Sequence, residues 1–178
     1  MTWEADLFAY LDDLEGEAGA VFDAERQMEV ADRARAEYSS VDAAGRLMAS
    51  VGSDVALRVT GLGALRGQLV RVATGWCLVE SGQQEWIVRL AAISAMQGVS
   101  PRSVPHDAWP VTAKLGLGSA LRRISESQER CGLRMLDGAQ YDVVPVRVGA
   151  DFVEAVMGEQ RELHLFTFEA LAAVHTRR

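Results

Sequence analysis

Two stretches decide how this chain reads: LRVTGLGALRGQLVRVATGWCLVESG, from Leu57 to Gly82, and LRMLDGAQYDVVPVRVGADFVEAVMG, from Leu133 to Gly158. Laid together without a gap, Leu57 meets Leu133, Arg58 meets Arg134, and Val70-Arg71-Val72 meets Val146-Arg147-Val148. Trp76 falls on Phe152 and Gly82 on Gly158; after a short insertion, WIVRLAAI (Trp86 to Ile93) falls on HLFTFEAL (His164 to Leu171). Self-similarity at a fixed spacing is the mark of a repeated structural unit. Within the first unit Val55, Leu57 and Val59 alternate with Ala56, Arg58 and Thr60, the period of a strand with one buried face. Turns at Gly61-Leu62-Gly63, Thr74-Gly75 and Ser81-Gly82 separate this strand from one ending in Val70-Arg71-Val72, from Trp76–Glu80 and from Glu85–Leu90. Five short strands at spacings of about ten residues favour a small closed barrel over an open sheet. Pro145 stands where the first unit has Leu69; without an amide donor it predicts an edge or a bulge in the second unit.

Upstream, the period changes to that of a helix from Trp3 to about Ala36. Leu7, Leu11, Leu14, Ala18, Val21 and Met28 recur at alternating steps of four and three, interrupted by Glu25, and Trp3, Phe8, Tyr10 and Phe22 widen the apolar face. A seam this regular needs a partner helix or surface. Asp12, Asp13, Glu15, Glu17 and Asp23 make the solvated face, and Gly16 and Gly19 predict a kink. Ser39 or Ser40 predicts the cap of a second helix to about Ser50, with Asp42 suited to its N-terminal dipole; this segment also reads as a continuation of the first helix. Between the units, Gly98 to Val111 carries Pro101, Pro105 and Pro110 without a period and reads as a linker. Ser119 then predicts the cap of a helix to about Ser127 ahead of the second unit.

Composition narrows the class. The 178 residues are 49% hydrophobic with a net charge of −7, and no apolar run of membrane-spanning length occurs. The acidic start Met-Thr-Trp-Glu-Ala-Asp differs from a secretory leader, so a cytoplasmic location is expected. Residues 1–50 carry twelve acids and four arginines, whereas the remainder carries thirteen acids and fourteen bases. Lys114 is the only lysine; an arginine bias of this kind reflects genome composition before chemistry. Cys77 and Cys131 form neither a metal pattern nor a disulfide framework and read as buried thiols. His106, His164 and His175 are too scattered for a metal site, and His106-Asp107 has no nucleophile at a diagnostic motif beside it. No catalytic residue, cofactor or metal is therefore expected.

A helix followed by a strand, a Gly-containing turn, a bent strand and a hairpin resembles the Sm-like fold of RNA-binding ring proteins, over roughly residues 40–97 and 116–176. VALRVTGLGALRGQLVRVATGWCLVE carries the likeness best, and SH3-like barrels share much of its rhythm. The chain is also similar to actinobacterial proteins with an acidic N-terminal helix. The resemblance implies a fold but no RNA pocket. The family's Asp-x-hydrophobic-Asn turn is Ala73-Thr74-Gly75-Trp76 in one unit and Gly149-Ala150-Asp151-Phe152 in the other, and its basic-Gly pair is replaced by Arg89-Leu90 and Thr167-Phe168.

The expected architecture is α+β: an acidic helical arm (1–38), a first five-stranded Sm-like or SH3-like barrel preceded by a helix (39–97), a Pro-containing linker (98–114), and a second such unit (115–178). The repeat-matched Arg58, Arg71, Arg134 and Arg147 are candidates for binding phosphates or an acidic partner, because guanidinium groups suit both. Lys114-Leu-Gly-Leu-Gly-Ser119 with Arg122 and Arg123 puts bases at a helix start but lacks nucleotide-binding spacing. Trp76 and Phe152 read as core. Leu7, Leu11, Leu14, Val21 and Met28 are the candidate helix interface. The expected function is non-enzymatic: a protein-interaction or scaffold protein that self-associates or binds a protein through the helix, without a membrane. The alternative is an RNA- or DNA-binding regulator using the four arginines.

Overall fold

The computed structural model describes residues 3–158 and 161–177. It divides into two compact units, one ending at Val41 and the other beginning at Asp42. The first consists of helix α1 (Trp3–Ser39) and runs unbroken through Gly16 and Gly19, where a kink was expected. Ser39 and Ser40 do not cap a following helix; their hydroxyls donate back to the carbonyls of Ala36 and Glu37, each at 2.7 Å, and close α1.

In the second unit the short helix α2 (Ala43–Met48) is capped by Asp42, whose Oδ1 accepts from the Gly45 amide at 2.6 Å. Strands β1 (Asp54–Val59), β2 (Gly63–Ala73), β3 (Trp76–Ser81), β4 (Gln84–Arg89) and β5 (Ile93–Gln97) follow. Helix α3 (Leu117–Ser127) precedes β6 (Cys131–Met135), β7 (Gln140–Val148), β8 (Phe152–Met157), β9 (Glu162–Thr167) and β10 (Leu171–Arg177). Gly116 holds the N-cap position of α3, so Ser119 lies inside its first turn rather than capping it.

Among the described residues these strands form one antiparallel sheet in the order β5-β1-β2-β3-β4-β10-β6-β7-β8-β9. The sheet does not close. The expectation of two separate barrels gives way because β4 pairs with β10 over Val88–Ala173, Ile87–Val174, Trp86–His175, Glu85–Thr176 and Gln84–Arg177. β4 is thereby paired with β3 on one side and β10 on the other, and β10 with β6 and β4, so neither set of five strands closes on itself.

Either side of this junction the strands run in matching order, β5-β1-β2-β3-β4 and β10-β6-β7-β8-β9. The irregularities match as well. The β2–β3 register shifts between Leu69 and Arg71, and the β7–β8 register shifts between Pro145 and Arg147, the bulge that Pro145 predicted. Outside the ladders, Thr60 donates to Ala92 (2.8 Å) and Leu136 to Ala170 (2.9 Å), while Leu90 donates to Gly75 (2.9 Å) and Phe168 to Asp151 (2.7 Å).

Alternation along the strands builds two cores. Leu57, Leu69, Val79 and Val88 lie in the first, with Leu47 of α2; Leu133, Val143, Val153 and Phe166 lie in the second, with Leu121 and Ile124 of α3. Each fully buried aliphatic side chain contributes about 1.5–3 kcal/mol. At the junction, Val88 and Ala173 face the first core, whereas Ile87 and Val174 face the second. Residues 98–114 are an ordered strap rather than an aperiodic linker. Trp109 is buried and donates to the Val104 carbonyl, the Ser100 amide donates to Ser50 Oγ, and the Thr74 amide donates to the Ala113 carbonyl.

Candidate functional site

Helix α1 holds the candidate interface. Good helix formers and few β-branched residues give it its length, and side chains spaced three and four apart share a face. Leu7, Leu11 and Leu14 are 42–48% exposed, and Val21 and Met28 are 60% and 62% exposed. Trp3, Phe8, Tyr10 and Phe22 are exposed beside them; the Ala18 side chain, also assigned to the seam, lies outside the described residues. At 1.5 Å per residue the seam from Leu7 to Met28 runs for about 30 Å. Charge divides along it. Residues 1–25 contain eight acids and no arginine or lysine, whereas residues 26–39 contain three of each sign. In the latter stretch Arg35 reaches Asp32 at 3.0 Å.

The four repeat-matched arginines sit at equivalent strand positions but meet different surroundings. Arg147 is held by Glu154, the residue opposite it on β8, at 2.6 Å. Arg71 has Leu78 opposite, and instead lines a groove of about 720 Å³ with Trp76, Arg123, Glu85 and Glu129. Arg134 lines a hollow of about 690 Å³ with Tyr141, Asp142 and His175, and its buried Nε has no hydrogen-bond partner among the described residues. Arg58 lies in a smaller hollow of about 260 Å³ beside Arg66. Three arginines thus line three different concavities and the fourth is paired to a carboxylate. Arg123, flagged only as part of a helix start, is the base that joins Arg71.

His106 pairs with a different acid from its neighbour Asp107. Its Nε2 lies 2.6 Å from Asp42 Oδ2, and its ring stacks on Trp109 with centroids 4.2 Å apart. The hydrogen bond from His106 and the Gly45 amide hold the Asp42 carboxyl below its ordinary pKa. Both Asp42 oxygens are thereby engaged, one capping α2 and one fastening the strap. This pair is a structural clasp.

Burial pushes the thiols of Cys77 and Cys131 up to about 12, with the Asp142 charge adding to the effect at Cys131. A thiol kept protonated is a poor nucleophile. Trp76 is in the core as expected, its Nε1 donating to the Leu115 carbonyl at 2.9 Å, while Phe152 is half-buried against Gly149. Among the described residues, no group of three His, Cys, Asp or Glu side chains is placed to hold a metal ion, and no helix is long and apolar enough to cross a membrane.

Sequence reasoning missed Arg89. At the end of β4 it donates to the carbonyls of Glu169 (2.7 Å) and Leu171 (2.9 Å), clasping the start of β10. The available signal was its replacement by Thr167 at the matching place in the second unit. No family model matches this chain, and no curated protein is significantly similar to it.

Proposed function

We propose that this is a non-enzymatic intracellular interaction protein, with α1 as its docking arm and the ten-stranded sheet as its body. The observation that carries the reading is the row of exposed apolar side chains along α1. Apolar surface set out at heptad spacing on an exposed helix is covered in the working state by another helix or surface. The cover proposed is α1 of a second copy, running antiparallel. That direction sets Leu7 toward Met28 and Leu14 toward Val21, and brings Arg26 and Arg33 of one helix toward the end of the other that carries Glu4 and Asp6. A parallel pair would set Glu4 and Asp6 against their own copies, whereas the acids from Asp12 to Glu25 face the same stretch of the partner in either direction. The body is read as two Sm-like five-stranded units, related by duplication and joined into one open sheet. Support for this reading comes from their matching strand order, bulges and turn hydrogen bonds.

The test is equilibrium sedimentation of the full chain and of a Leu11→Asp/Leu14→Asp variant. Covering a half-exposed leucine contributes about 1 kcal/mol, so four such side chains per dimer contribute about 4 kcal/mol, a roughly thousandfold change in Kd. The expected result is a dimer that the double substitution weakens by that order, with the body's melting temperature unchanged. Equal association by the two proteins overturns the proposal.

A further inference from the structure

The sheet ends on two edges whose exposed residues are the counterparts of residues covered at the β4–β10 junction. At the junction, Ile87 of β4 is half-buried against the second core and Ala173 of β10 is 1% exposed against the first. Their repeat counterparts are Leu165 on β9, which is 56% exposed, and Ala95 on β5, which is also exposed. Leu163 adds a second apolar side chain on β9, 55% exposed. Neither edge strand is guarded by a proline or a lysine; β5 carries a bulge against β1, and β10 carries the equivalent bulge against β6 while still pairing with β4. β5, Ile-Ser-Ala-Met-Gln, has no charge and no proline, and β9 has one acid at its first residue, no lysine or proline, and a continuous register with β8.

We infer that β9 of one copy adds to β5 of a second copy, repeating between molecules the antiparallel pairing that joins β4 to β10 within one. Moving the internal register by the 78 residues that separate Leu90 from Phe168 sets the pairs. Ala95 lies opposite Phe166, Met96 opposite Leu165, and Gln97 opposite His164. Faces agree with this register. Met96 already packs on the first core, as Val174 packs on the second, so Leu165 takes the place beside it that Ile87 takes beside Val174. Phe166 faces the second core as Val88 faces the first, and Ala95 covers it as Ala173 covers Val88.

Two features make this contact weaker than the internal one. β5 ends at Gln97, where Gly98 turns with φ +77° against the Asp54 carbonyl, so the ladder has three pairs where the junction has five. Thr167 stands where Arg89 clasps the junction, so no guanidinium locks the new seam. The contact is head-to-tail, because a β9 edge meets a β5 edge, and each copy keeps one of each for the next. It is reversible and concentration-dependent. It rests on the sheet alone and is independent of the role proposed for α1.

The experiment is disulfide capture with Met96→Cys and Leu165→Cys proteins, both carrying Leu11→Asp/Leu14→Asp so that association through α1 does not contribute. Opposed residues on antiparallel strands lie about 4.5–5.5 Å apart at Cα, within disulfide reach. The native thiols are buried and do not compete. Unchanged thermal melting establishes that the variants are folded. The expected result is a mixed disulfide dimer when the two proteins are combined under mild oxidant, exceeding the product from either alone. Capture by Leu165→Cys alone at the same yield means that two β9 edges meet each other, and overturns the inference. Absence of cross-linking from the mixture at high protein concentration overturns it too.

Discussion

Replacing Gly61 with alanine tests how closely the two halves of the sheet are joined. Gly61 turns β1 into β2 with φ +77°, in the left-handed region that costs a residue with a Cβ about 1–2 kcal/mol. Its surroundings add a second cost. A Cβ there would collide with the Met135 carbonyl oxygen and lie 2.9 Å from the Met135 carbonyl carbon and 3.0 Å from Leu136 Cα, all backbone of the other half. Backbone has no rotamer to give way, so the β6–β7 turn must move; overpacking of this kind adds about 1–3 kcal/mol. Gly75 is the control. It has φ +82°, with nothing within 4 Å of its added Cβ. Gly75→Ala is expected to cost about 1–2 kcal/mol from conformation alone, and Gly61→Ala about 3–4 kcal/mol. For a unit of this size each kcal/mol shifts the melting temperature by about 4 °C, giving decrements of roughly 6 °C and 14 °C. The assay is thermal unfolding followed by tryptophan fluorescence, since Trp76, Trp86 and Trp109 all lie in the β unit. Equal decrements for the two variants would refute the claim that the halves touch at Gly61.

Acid should loosen the strap. The folded pKa of Asp42 lies below its ordinary 3.8, so its contribution is fully present above that value and is lost as pH falls through the lowered one. Both partners are about half exposed, which keeps the effect to about 1 kcal/mol or less. Asp42→Asn should therefore show less stability loss than the native chain in denaturant titrations from pH 4 downward, and identical slopes would remove the clasp. The thiols make a separate prediction. With pKa values pushed up to about 12, Cys77 and Cys131 should react with an aromatic disulfide reagent at neutral pH only as the sheet unfolds. Fast reaction in the folded protein contradicts their burial.

Arrangement is legible in the sequence where it depends on neighbours along the chain. The period of two around Leu57, the turns at Gly61–Gly63 and Thr74-Gly75, and the heptad spacing of Leu7 to Met28 each report a local demand for burial or for positive φ. The irregularity at Pro145 is legible too, although the same shift falls between Leu69 and Arg71 without a proline, so the missing amide donor marks the bulge rather than makes it. The candidate residues were less legible. Arg71 and Arg147 look equivalent in the sequence, yet Leu78 or Glu154 across the strand decides whether the guanidinium is held. His106 bonds an acid 64 residues away rather than its neighbour.

The sequence by itself therefore determined the helix, the strands and which faces are apolar. Only the tertiary structure decided that the two sets share one open sheet, that Arg89 clasps their junction, and that residues 98–114 form a strap. Local periodicity states which side of a strand seeks cover, but it carries no information about which distant strand supplies the hydrogen bonds along its edge. Those bonds join Gln84–Val88 to Ala173–Arg177, and they set where the sheet continues and where it stops.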